Sequence, residues 1–180
     1  MKPNRRLTLW ILIPFVVVFA PAPLGRCLAM QTAGQKKEVP PEERLKASAV
    51  FDPAEAKRGG TVTLKVTLTP APGYHTYPTK QADAKADAFI TTIEFPGIKD
   101  LKPAKEWKEP KPKIMDEKEL MAKVGIYEEK AVLENILTVS KDAAAGAKKI
   151  KVKIDTQVCD DKGCIPFSKT LEVPLTIAAK

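Results

Sequence analysis

Lys149-Ile-Lys-Val-Lys-Ile-Asp155, Thr156-Gln-Val-Cys-Asp-Asp-Lys-Gly-Cys-Ile-Pro-Phe167 and Thr170-Leu-Glu-Val-Pro-Leu-Thr-Ile177 make an almost continuous run near the C-terminus. The outer two pieces alternate apolar and polar residues, which is the period of a half-buried strand. Between them Asp160-Asp-Lys-Gly163 has the composition of a tight four-residue loop, ending on Gly, the residue best able to take φ > 0. The run therefore predicts a β-hairpin with Cys159 and Cys164 facing each other at the mouth of the loop. Opposed residues of a non-hydrogen-bonded antiparallel pair have Cα atoms roughly 4.5 Å apart, within reach of a disulfide.

Working outward, the same alternation recurs. Thr61-Val-Thr-Leu-Lys-Val-Thr-Leu68, opened by Gly59-Gly60 and closed by Pro70 and Pro72-Gly73, is the cleanest strand in the chain. Leu45 to Phe51, Phe89 to Phe95 and Ala131 to Val139 read as further strands, each bounded by turn residues such as Asp52-Pro53 and Pro96-Gly97. Lys99 to Lys113, rich in Lys and Pro, reads as an irregular connection pinned by Trp107. Asp116 with Glu119 three residues on has the spacing of a helix start and predicts a turn or two of helix there. Seven or so short strands with no long amphipathic helix predict an all-β sandwich. Pro174 has no backbone donor and predicts an edge position for the last strand.

The 180 residues suffice for one domain with an ordinary core, and 44% hydrophobic with 29% charged residues is a globular composition. Residues 1–29 have a basic start (Lys2, Arg5, Arg6), an apolar run from Leu7 to Ala20 and a small-residue exit near Ala22 or Ala29, the three parts of a cleavable secretory signal. The apolar run is shorter than the roughly 20 residues a membrane span needs. An uncleaved anchor is the lesser alternative, as is lipidation at Cys27, where Arg26 departs from the lipobox pattern. Residues 30–44 read as a polar linker and 45–180 as the folded domain. Without the four basic residues of 1–29 the formal charge falls from +8 to +4, carried by Lys dispersed among acids. No dense Arg–aromatic patch is present, so nucleic acid is not an expected partner.

Loss of Cys27 with the leader leaves Cys159 and Cys164, an even count suited to an oxidising compartment. Two Cys and the lone His75 do not make a structural zinc site without carboxylates, so no metal is expected and His75 reads as a rim residue. A hydrolytic triad has no recognisable members around His75. Two readings of the pair remain. As a staple it closes only six residues, worth about 2 kcal/mol in the loop-entropy model against about 4.7 for a 100-residue loop. As an exchange site it sits at a loop tip within a partner's reach, with Lys162 to favour a thiolate and Asp160 and Asp161 to oppose it. The residues alone favour neither.

Gln157-Val-Cys-Asp-Asp-Lys-Gly-Cys-Ile-Pro166, with a following strand ending in Val173-Pro-Leu175, resembles the active-site region of the N-terminal periplasmic domain of the thiol:disulfide interchange protein DsbD family. Gly73-Tyr-His-Thr-Tyr77 resembles that family's Gly-Tyr-Tyr-x-Tyr segment, and Asp116 to Tyr127 its acidic cap-loop segment. The three occur in the family's order, over roughly residues 45–177. The resemblance implies an immunoglobulin-like β-sandwich that carries reducing equivalents without a cofactor. Its partners would be thioredoxin-like proteins and a membrane-embedded thiol reductase on one side. On the other would stand a periplasmic disulfide isomerase or cytochrome c maturation protein.

By the same resemblance Cys164 forms the mixed disulfide with partners and Cys159 resolves it. Leu120, with Met121 beside it, stands where the family's shielding aromatic belongs. Tyr74 and Tyr77 would line the site, and Glu119 would tune the thiol. The sequence holds neither a multi-span membrane domain nor a C-terminal Cys-x-x-Cys domain, so either a free-standing carrier served by partners in trans or a relative whose partners have changed is expected. The rival is a non-enzymatic immunoglobulin-like binding module with a structural hairpin disulfide.

Overall fold

The computed structural model describes residues 39–118 and 121–179; the expected signal peptide and most of the expected linker lie outside them. Among the described residues ten strands follow one α-helical turn, α1 (Pro41–Arg44), which occupies the end of the stretch expected as linker, and a 3-10 turn lies at Ala84–Ala86. One four-stranded sheet has the order β1 (Leu45–Asp52), β3 (Thr61–Pro70), β8 (Ala131–Val139), β5 (Leu101–Pro103). The other has the order β2 (Glu55–Lys57), β10 (Gly163–Ala178), β9 (Gly146–Asp160), β4 (Thr92–Glu94). The two pack into an immunoglobulin-like all-β sandwich. A separate two-stranded hairpin, β6 (Lys113–Glu117) and β7 (Ala122–Ile126), completes the set.

Period-2 patterning accounts for the core. Val62, Leu64, Val66 and Leu68 on β3 and Leu133, Leu137 and Val139 on β8 are buried, facing Val152, Ile154, Val173, Leu175 and Ile177 of the opposite sheet in one cluster. On β8 the alternation puts Asn135 in an apolar slot, and it is buried. Its amide is fully used: Ala104 N–H donates to Oδ1 at 3.0 Å, while Nδ2 donates to the carbonyls of Ala104 and Glu106 at 3.1 and 3.2 Å. Asn135 thereby anchors the Lys/Pro-rich connection, and Trp107 stacks against Phe95 with centroids 6.5 Å apart.

Three expectations need correction. The strand read from Phe89 to Phe95 is only Thr92–Glu94, because Phe89 turns away to another cluster. The helix expected at Asp116 is instead the end of β6, with Lys113↔Ile126 and Glu117↔Ala122 setting the hairpin register. The local Asp/Glu spacing was outweighed by alternation in Ala122-Lys-Val-Gly-Ile126, whose Ala122, Val124 and Ile126 are buried. Nor is β10 an edge strand. The Thr176 N–H donates to Ala54 O at 2.9 Å, away from β9, and Pro174 lies two residues earlier with the same orientation. Since β2 pairs only with residues 176–178, the missing donor at Pro174 breaks no ladder bond.

Candidate functional site

The β9–β10 hairpin pairs Gly163 with Asp160 and Cys164 with Cys159, so the loop proper is Asp161-Lys162, two residues shorter than expected. Gly163 takes φ 147°, a conformation that side chains disfavour. The Asp160 carboxylate accepts from the backbone N–H groups of Lys162 (2.9 Å) and Gly163 (3.2 Å), closing the turn. Donation by Lys162, helped by Gly163, holds this carboxyl below its ordinary range. Cys159 and Cys164 form a disulfide with Cα atoms 4.0 Å apart. The two ends differ in access: Cys159 is 1% exposed and Cys164 is exposed.

Cys159 is buried because two further elements close over the end of β9. His75 forms a two-bond bridge with it, His75 N–H to Cys159 O at 2.9 Å and Cys159 N–H to His75 O at 3.0 Å. Thr76 does the same with Tyr127, at 3.0 and 2.8 Å, so residues 75 and 76 join β9 to the end of β7. Beneath them, Thr76 Oγ1 lies 3.0 Å from Thr156 Oγ1, and Thr91 Oγ1 donates to Thr156 Oγ1 at 2.9 Å or to Tyr77 O at 2.5 Å. This buried hydroxyl cluster fixes the extended segment that carries Tyr77.

The Tyr77 hydroxyl stands 2.9 Å from Cys159 Sγ, 3.6 Å from Cys164 Sγ and 3.4 Å from His75 Nε2. Burial, reinforced by the Glu117 charge, pushes the Tyr77 phenol up to about 12, so it holds its proton throughout the neutral range. Burial lowers His75 from its ordinary value, against the opposing charges of Glu128, Asp160 and Glu117. Tyr77 packs on Phe89 (centroids 5.3 Å) and shares a small apolar cluster with Ala86, Val124, Ile126, Met115 and Cys159. Of this cluster Tyr77, Phe89, Met115 and Cys159 reach an open cleft of about 680 Å³ over the bridge, which His75, Cys164, Glu117, Lys162 and Gly73 also line.

The expected site residues divide. Tyr77 lies against the bridge. Tyr74 faces the other way, packed on the main core with the Arg44 guanidinium 5.3 Å from its ring centroid. In an extended segment alternate residues point apart, so a segment that aims His75 and Tyr77 at the cleft aims Tyr74 elsewhere. Met121 is 79% exposed and borders a different depression, with Asp83, Asp116 and Lys123. Glu119 and Leu120 lie outside the described residues. Phe89, Met115 and Glu117 line the cleft and were not singled out from sequence. The alternation of Met115 and Glu117 with Ile114 and Asp116 was the available signal for two of them. Among the described residues no group of three or more His, Cys, Asp or Glu side chains is arranged to hold a metal.

Comparison with known proteins gives a consistent picture. No curated protein matches the chain. The fold is similar to the N-terminal periplasmic domain of ScsB from Proteus mirabilis, with TM-score 0.53, 18% identity, and 77% of this chain and 49% of that one covered. It is also similar to the DsbD N-terminal domain of Neisseria meningitidis in its reduced form, with TM-score 0.50, 17% identity, and 77% and 90% covered. This chain thus spans about half the length of the ScsB domain. At such identities these likenesses establish the fold; the sequence relationship rests on the family model for the DsbD N-terminal region, which matches residues 42–176. A match over most of the chain, with the cysteine hairpin inside it, means that this protein belongs to the family of DsbD N-terminal domains, thiol–disulfide exchange domains built on a cysteine pair.

Proposed function

We propose that the protein is an exported dithiol carrier that relays reducing equivalents through Cys159 and Cys164. The observation that carries this reading is the unequal access of the two cysteines, one exposed at the hairpin tip and one buried against Tyr77. A staple has no use for that asymmetry, whereas an exchange site needs one sulfur to be attacked and one to leave. A partner thiolate bonds to Cys164 Sγ, the Cys159–Cys164 bond breaks, and Cys159 departs with the electron pair. The partner's second thiol then displaces Cys164, leaving this domain reduced and the partner oxidised. In the onward step the Cys164 thiolate attacks a client disulfide, and Cys159 attacks Cys164 to restore the bridge and release the reduced client.

The donors in this reading are thioredoxin-like proteins or a membrane-embedded thiol reductase. The acceptors are a disulfide isomerase or a cytochrome c maturation protein. Export by residues 1–29 to a periplasmic space fits both the oxidised pair and the periplasmic setting of the Proteus domain. Among the described residues no helix is long and apolar enough to cross a membrane. Shielding between encounters falls to Phe89 and Met115 on the cleft wall, with Leu120 and Met121 proposed as outer parts of the cap and Glu119 as a further influence on the thiols.

Trapping tests the reading. Cys159→Ser should accumulate a mixed disulfide through Cys164 with a thioredoxin-like protein, and Cys164→Ser should not. The reduction potential of the pair decides between carrier and staple. A value well above about −300 mV is expected, and one below it marks a structural bridge and returns the binding-module reading to the front.

A further inference from the structure

Exchange at Cys164 expels Cys159 as a thiolate into apolar surroundings. Cys159 belongs to the buried cluster of Tyr77, Ala86, Val124 and Ile126 and is itself 1% exposed. Such burial disfavours the charged sulfur, so departure is slow unless a donor or a proton meets it there. The attacking partner, arriving at the exposed end, supplies neither.

Two side chains stand in line between that sulfur and water. Tyr77 Oη is 2.9 Å from Cys159 Sγ, and His75 Nε2 is 3.4 Å from Tyr77 Oη, the two rings edge-to-face at 89°. His75 is half-buried and borders the open cleft. Its backbone is tied to that of Cys159 by two hydrogen bonds, of 2.9 and 3.0 Å, so the two residues are held side by side. Resting on the exchange reading above, we propose that His75 is a positioning residue that feeds protons through the Tyr77 hydroxyl to Cys159 during thiol–disulfide exchange.

The step balances without a further reagent. As the partner thiolate bonds to Cys164 Sγ, the electron pair of the broken bond stays on Cys159 Sγ. The Tyr77 phenolic proton passes to that sulfur, and the Nε2 proton of the His75 imidazolium passes to Tyr77 Oη. His75 is left as neutral imidazole and takes a proton from water in the cleft. On the return stroke the Cys159 thiol gives its proton to Tyr77, which gives its own to His75, as Cys159 attacks the mixed disulfide.

The groups facing His75 are Glu117 on β6, Glu128 beyond β7, and Asp160 and the Cys159 end of β9, with Lys162 across the cleft. The three carboxylates favour the imidazolium and burial opposes it more strongly, so the charged form appears on the acid side of the ordinary histidine range. The contribution of His75 therefore grows as pH falls through that region and is lost as pH rises above it.

The oxidised full-length chain is reduced with dithiothreitol at constant thiolate concentration from about pH 4.5 to about pH 8, and free thiols are counted after acid quench. His75→Gln keeps an amide donor that does not titrate, and Tyr77→Phe keeps the ring on Phe89. Wild type should exceed His75→Gln roughly tenfold near pH 5, with the ratio closing to about one near pH 8. Tyr77→Phe should be slow throughout, and adding His75→Gln to it should change nothing. A ratio that does not vary with pH overturns the relay, as does an undiminished His75 effect in the Tyr77→Phe background. If Tyr77→Phe does not fold, the pH profile of His75→Gln decides alone. A wild-type bridge that resists dithiothreitol at every pH overturns the exchange reading itself.

Discussion

Tyr77 is held by contacts from four directions: a ring on Phe89, a backbone carbonyl taken by Thr91, and a hydroxyl shared between a sulfur and an imidazole. Tyr127 is similar, its hydroxyl donating to Pro110 O at 2.8 Å or to Glu109 Oε2 at 3.0 Å. Burial raises both phenols, with the Glu117 charge adding at Tyr77 and Glu109 at Tyr127. A raised phenol means that the folded state keeps a proton which the unfolded state sheds above pH 10. Stability is then fully present below about pH 10 and declines as pH rises toward 12, by up to roughly 1.4 kcal/mol per unit per tyrosine. Urea unfolding at about pH 9, 10 and 11 should show the decline, and Tyr77→Phe or Tyr127→Phe should each flatten it. An unchanged slope in both variants would refute the assignment. The family resemblance places Tyr77 at the site, but its hydroxyl contact with Cys159 is not legible in the residue pattern, because the two meet across 82 residues and only the closed fold brings them together. The register of Cys159 against Cys164 was legible, because alternation on both arms and a glycine at the turn leave one pairing.

The β6–β7 hairpin is the element that turns a generic sandwich into a site, since Met115 and Glu117 reach the cleft from it. Gln81 clamps it from outside: Nε2 donates to Gly125 O at 3.0 Å and to Phe89 O at 2.5 Å, and Gly125 N–H donates to Oε1 at 2.8 Å. A glycine is required where the clamp closes. A Cβ at residue 125 would lie 3.0 Å from Pro112 Cγ and 3.2 Å from Gln81 Oε1. Gly125→Ala should therefore cost about 1–3 kcal/mol, as overpacking does, by moving β7 against its clamp. Because the same shift loosens the wall over Cys159, the bridge should also be reduced faster by a small thiol. Chemical denaturation and dithiothreitol kinetics read the two effects separately, and a stable variant with unchanged reduction would show that the hairpin does not guard the bridge. The Asp116–Glu119 spacing, local and conspicuous, predicts a turn or two of helix where this element has its hairpin turn. The pairing that decides otherwise depends on the buried row Ala122, Val124, Ile126, broken to the eye by Gly125.

At the scale of the molecule, the core shared by the two sheets is centred on Leu64, Val66, Leu133, Leu137, Ile154 and Leu175, positions that follow from period 2 alone, and it runs on to Val158 and Phe167 near the hairpin tip. The bridge lies at one end, in the smaller cluster, and joins neighbours of one sheet without tying the sheets together. Its stabilising effect should accordingly be local. Closing six residues constrains the unfolded chain by about 2 kcal/mol, which for a domain of this size corresponds to a fall of roughly 5–10 °C in Tm when the bridge is opened. The oxidised protein, the protein in excess reductant, and the Cys159→Ser/Cys164→Ser variant should all unfold cooperatively, the last two with similar midpoints. Far-UV circular dichroism should be nearly the same in all three below the transition. A carrier must cycle between oxidised and reduced states without unfolding, so a small and similar loss is what that role requires. Loss of the fold on reduction would make the disulfide a structural necessity, and a domain that collapses each time it is reduced cannot pass electrons on.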